Sequence, residues 1–171
     1  MKRTLLFVLA LTAVGCADTE QPETPSDGLA QVTPSIRGMP CANLLYEAPL
    51  EDLRTCAEQG DAETQLELGQ RYKNGVSVPE DYVEAVRWYR LAAEQGYAPA
   101  QFLLGAMYES GRGVPEDIVL AYMWYNLAAA NGDERRRSRK EFTERQMTRE
   151  QIAEGQRLTR EWLEAHPPGG N

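Results

Sequence analysis

The chain has 171 residues, 42% of them hydrophobic, 26% charged and 8% aromatic, the proportions of one globular domain. That is too polar for a multi-span membrane protein, and three cysteines are too few for a disulfide-framework miniprotein. A formal charge of −8, from 18 Lys and Arg against 26 Asp and Glu, repels phosphate backbones and argues against nucleic acid as a partner.

Lys2 and Arg3 precede an eleven-residue uncharged run, Thr4 to Val14. The run is too short for a stable bilayer span and has the length of a signal-peptide core, so residues 1–15 are expected to be a signal peptide. The string LTAVGC, ending at Cys16, resembles the lipobox of bacterial lipoproteins. The resemblance implies that the Cys16 thiol is joined to diacylglycerol and that the chain is cut just before it. It departs from the pattern at Ala13, where Leu is preferred. Because Ala17 rather than an Asp follows Cys16, the same resemblance implies the outer membrane. The alternative is ordinary signal-peptidase cleavage after Ala17, giving a soluble periplasmic protein. Loss of Lys2 and Arg3 leaves 16 bases and 26 acids, a net charge near −10. Lipid tails supply membrane affinity at about 0.8 kcal/mol per buried CH₂, so no basic patch is needed for anchoring.

Residues 16–40 hold Pro22, Pro25, Pro34 and Pro40 among polar residues and read as a lipidated N-terminus and disordered linker. From Cys41 the composition changes. Residues 41–165 contain sixteen Ala but only eight Val plus Ile, which predicts an all-α domain. Cys41 and Cys56 are an even pair in an exported chain, which favours a disulfide closing a loop worth about 3 kcal/mol. The alternative is two free thiols. A metal site would need further Cys or clustered His ligands that the sequence does not supply.

Shifted by 36 residues, 60–95 matches 96–131 at eighteen of 36 positions. Such a period marks a solenoid of stacked helical units. Each unit predicts a helix A, about 62–74 and 98–110, and a helix B, about 80–95 and 116–131. Pro79 and Pro115 are expected at the start of helix B, and Gly75 and Gly111 as left-handed caps of helix A. Gly69 and Gly105 fall inside helix A, where glycine costs about 1 kcal/mol against Ala; its recurrence predicts close helix–helix contact. Trp88 with Ala92, and Tyr89 with Ala93, place a ring beside a small residue one turn on.

These strings, LGxxYxxGxxVPEDxxxAxxWYxxAA, resemble the Sel-one-like repeat, a relative of the tetratricopeptide repeat. The resemblance implies a right-handed α/α superhelix with a concave face lined by the A helices, and a role as an adaptor in protein complexes. Residues 50–59 resemble the end of a preceding helix B.

After Gly132 the motif fails. Residues 133–165 read as a C-terminal helical cap whose last helix starts at Thr148 with a capping box to Gln151. Repeat two replaces Glu67, Gln70 and Arg71 by Leu103, Ala106 and Met107, and Glu84, Arg87 and Glu94 by Leu120, Met123 and Ala130. Two explanations stand side by side. Either the cap buries these faces, or Leu103 and Met107, set against Glu67 and Arg71, form an apolar strip for a partner peptide. The basic run Arg135, Arg136, Arg137, Arg139 and Lys140 reads as a solvated helix face, or as an electrostatic contact to an acidic partner or anionic headgroups.

The one histidine, His166, falls in a tail, 166–171, expected to be disordered, so the helical body holds no His-based triad or zinc site. No Ser is followed three places on by Lys, and the Gly111–Gly113 segment lies between helices rather than after a strand. Glu80/Asp81 and Glu116/Asp117 are expected simply to favour helix N-termini. No catalytic residue, cofactor, metal or small-molecule substrate is expected. The resulting expectation is a non-catalytic protein–protein interaction scaffold of the bacterial cell envelope. The alternative is an envelope enzyme acting on β-lactams or peptidoglycan.

Overall fold

The computed structural model describes residues 41, 48–130 and 133–167. The expected signal peptide, Cys16, the linker, Gly132 and residues 168–171 lie outside the described residues. The described chain forms seven α-helices: α1 Leu50–Glu58, α2 Ala62–Asn74, α3 Tyr82–Glu94, α4 Ala98–Ser110, α5 Ile118–Ala129, α6 Glu134–Glu144 and α7 Arg149–Ala165. Each helix from α1 to α5 packs on the next in sequence, the pattern of an α/α solenoid. The A helices are α2 and α4; α1, α3 and α5 are B helices. Among the described residues no helix is long and apolar enough to cross a membrane.

The repeat is built by chemistry that recurs at the 36-residue spacing. Gly75 and Gly111 close α2 and α4 in the left-handed region (φ 67° and 65°). A Cβ on Gly69 would lie 2.6 Å from the Tyr89 ring, and one on Gly105 2.8 Å from the Tyr125 ring. The interior glycines therefore make room for a buried tyrosine of the following B helix. Buried Gln65 donates to Ala57 O (2.9 Å) and buried Gln101 to Ala93 O (3.2 Å), satisfying carbonyls at the end of the preceding helix. Arg54 donates to the Tyr72 hydroxyl and Arg90 to the Tyr108 hydroxyl, both at 2.8 Å.

The B helices start later than Pro79 and Pro115 suggest. Asp81 and Asp117 are the N-caps, each accepting from the two amides that open its helix (2.9–3.0 Å). Their own N–H groups donate to Tyr72 O and Tyr108 O, which pins the loop and leaves both prolines outside the helix.

Cys41 and Cys56 are joined by a disulfide with Cα atoms 5.6 Å apart, tying the segment before α1 to that helix. At the other end α7 packs on α5. Its Thr148–Gln151 capping box is formed. Gly155 lets α7 approach Tyr122, and Trp162 meets Trp124 edge-on at 6.2 Å. Leu158 and Trp162 join the core that holds Met123, with Leu120 packed against it. The cap therefore covers the apolar substitutions at Leu120 and Met123, while Ala130 stays exposed. His166, expected in a disordered tail, stacks on Trp162 at 4.2 Å.

Candidate functional site on the A-helix face

The site is best seen by comparing one register position in three successive helices. Glu67 and Arg71 of α2, Leu103 and Met107 of α4, and Arg139 and Thr143 of α6 are each 36 residues apart. Helix α6 keeps the A-helix register without the motif: its N-cap Asp133 lies 72 residues after Asp61, and both cap through their side chains. Each pair faces back toward the preceding unit, and each meets something different there.

In α2, Glu67 and Arg71 pair with each other at 3.3 Å. Arg71 is only 5% exposed and donates to Ala48 O at 3.0 Å. This pair, singled out as a partner contact, is thereby built into the junction with the segment before α1.

In α6, Arg139 and Thr143 reach Glu109 in the last turn of α4. Arg139 pairs with Glu109 Oε2, and Thr143 donates to Oε1 at 3.1 Å. The Tyr125 hydroxyl donates to the same carboxylate at 2.9 Å. Arg139 also lies over the Tyr125 and Phe142 rings. Burial pushes the Tyr125 phenol well above its ordinary value, and bonding to Glu109 holds the Arg139 guanidinium further toward its charged form.

In α4 the same positions are apolar and border an open groove of about 250 Å³. Leu103 and Ala106 are half-buried on its wall, and Met107, 3% exposed, belongs to the core beneath. Lys73, Arg112 and Arg139 bring three positive charges to this groove against the one acid, Glu109, that Arg139 already holds. The groove also reaches Tyr89, the counterpart of Tyr125. Tyr89 is fully buried and its hydroxyl has no hydrogen-bond partner among the described residues. Burial, with the charge of Glu67, pushes its phenol up. Lys73 occupies the position that Glu109 holds in repeat two.

Of the residues singled out in the sequence, the structure brings Leu103 and Met107 to this groove. Glu67 and Arg71 face the previous junction instead. Arg135 is exposed, while Arg136 and Arg137 pair with Asp133 and Glu134 in the first turn of their own helix (3.7 and 3.1 Å), away from Leu103. Lys73, Tyr89, Glu109, Arg112 and Thr143 were not anticipated. Their signal lies in carrying the 36-residue shift past the point where the motif fails.

The Sel1 repeat family model matches residues 62–97 and 98–133. Among solved structures, a protective antigen of uropathogenic Escherichia coli strains displaying an SLR fold is 32% identical with a TM-score of 0.66. That match covers 70% of this chain and 26% of the antigen's chain. A Sel1 repeat protein from Oxalobacter formigenes is 41% identical with a TM-score of 0.53, over 54% of this chain and 69% of that one. No curated protein matches.

Proposed function

Since the chain belongs to the Sel1 repeat family, whose members generally serve as protein–protein interaction scaffolds, we propose that it is a non-catalytic scaffold of the bacterial cell envelope. In this reading it is held at the outer membrane by lipid on Cys16 and presents its A-helix face to protein partners. The observation that carries the reading is the groove beside Leu103. There the side chains that close the neighbouring junctions, Arg71 before it and Arg139 with Thr143 after it, are replaced by apolar ones, and the surface stays open. The arrangement suits binding of an extended segment rather than bond-making chemistry.

A photoreactive residue in place of Leu103 tests the reading in cells. It should cross-link to a small set of envelope proteins, and one at exposed Glu80 should not capture the same set. No protein adduct from position 103 would remove the basis of the scaffold reading. The anchor is tested separately: Cys16→Ser should abolish incorporation of labelled fatty acid and release the protein from the membrane fraction. Unchanged membrane association would overturn lipidation.

A further inference from the structure

Two junctions of the solenoid carry the same buried tyrosine but finish it differently. At repeat two, the Tyr125 hydroxyl has a carboxylate acceptor, Glu109, which is held by Arg139 and Thr143. At repeat one, Lys73 replaces that acid, and Leu103 and Met107 replace the side chains that would hold it. The Tyr89 hydroxyl is left buried and without a hydrogen-bond partner among the described residues, an arrangement that costs free energy. Glu67, the acid of α2 nearest in register, is committed to Arg71.

The charge that bears on the hydroxyl itself is that of Glu67, whereas the groove outside it is lined by Lys73, Arg112 and Arg139 against the one acid, Glu109. Neither Lys73 nor Arg112 has an acidic partner among the described residues; Arg112 lies over the Tyr82 ring at 5.4 Å. Among the described residues the groove therefore holds two cations without an acidic partner, in a chain of net charge −8. Such a local reversal draws an anionic group to that spot and repels the rest of the molecule's own kind.

Resting on the scaffold reading above, we propose that the groove takes an acidic residue within an extended apolar segment of a partner protein. Its carboxylate sits between Lys73 and Arg112 at the mouth of the groove. Its flanking apolar side chain lies on Leu103 and Ala106. A volume of about 250 Å³ suits one or two side chains, so the recognition element is short.

The test uses the full processed protein and two fluorescent, end-capped decapeptides, Leu-Glu-Leu in a Gly/Ser frame and its Leu-Gln-Leu twin. The Glu peptide should bind about tenfold more tightly at low salt, and its advantage should shrink as salt is raised. Lys73→Glu, which places the acid of repeat two at repeat one, should erase the advantage without lowering the melting temperature. Arg112→Glu should erase it too. Equal affinity for the two peptides, no binding of the Glu peptide, or an unchanged preference in Lys73→Glu overturns the proposal. Those results leave the scaffold reading standing as long as position 103 still cross-links to envelope proteins. A cross-link from position 103 to this chain's own residues 17–40 shows self-occupancy and overturns the partner proposal.

Discussion

Leu103 and Met107 stand one turn apart on α4 and meet different surroundings. Met107 is closed into the core with Tyr89 and Leu104, whereas Leu103 is half-open on the groove wall. Their substitutions should therefore separate. Met107→Arg forces a charge among apolar side chains and should destabilise the domain by about 2–4 kcal/mol. Leu103→Glu should change stability by less than about 1 kcal/mol while altering what the groove binds. Thermal melts of the two variants check this, and equal losses would show that α4 has no open face. Glu109 is the complementary case. Glu109→Ala strands the Tyr125 hydroxyl and Arg139 together and should cost about 1–3 kcal/mol, read from denaturant midpoints.

At the level of the helix, what was legible in the sequence follows from what repeats. Gly69 and Gly105 recur, so a close approach could be inferred, and the rings of Tyr89 and Tyr125 now account for it. A sharp consequence is that Gly105→Ala should destabilise. The better helix propensity gains about 1 kcal/mol, but the new Cβ meets a fully buried ring at 2.8 Å, and overpacking costs about 1–3 kcal/mol. A raised melting temperature would contradict the packing account. Pro79 and Pro115 were misleading because proline tolerates a helix start, yet the Asp two places on supplies the capping oxygen and decides the boundary. Helix α6 was legible as a helix but not as an A helix, because it keeps the register without any motif residue. The Glu109–Arg139 pair was invisible for the same reason: the two are 30 residues apart and match no consensus position.

For the whole molecule, the two ends of the stack are secured by unlike means. At the N-terminal end the Cys41–Cys56 bridge closes a loop of sequence separation 15, worth about 3 kcal/mol through the unfolded chain. Replacing both cysteines by Ser should lower the melting temperature of the exported domain accordingly. Free thiols in protein extracted under alkylating conditions would contradict the bridge. At the C-terminal end no covalent tie exists among the described residues, and the closing element is α7, through Trp162 and Leu158 on the core of α5.

That α7 rests on α5, and not on the helix before it, changes how the stack should breathe. A solenoid held only by successive neighbours frays inward from its tips, so the last helix ought to be the first to open. Here the order is inverted. Helix α6 packs on α5 but fully buries only Thr143, and the Glu109 clasp is what ties it to α4, so it is expected to swing out while α7 still shields the core. Amide hydrogen exchange should find α6 the least protected of the seven helices, and α7 slower to exchange although it lies nearer the chain end. The penultimate helix, rather than the terminal one, is then the hinged panel of this fold, and its latch is a single carboxylate.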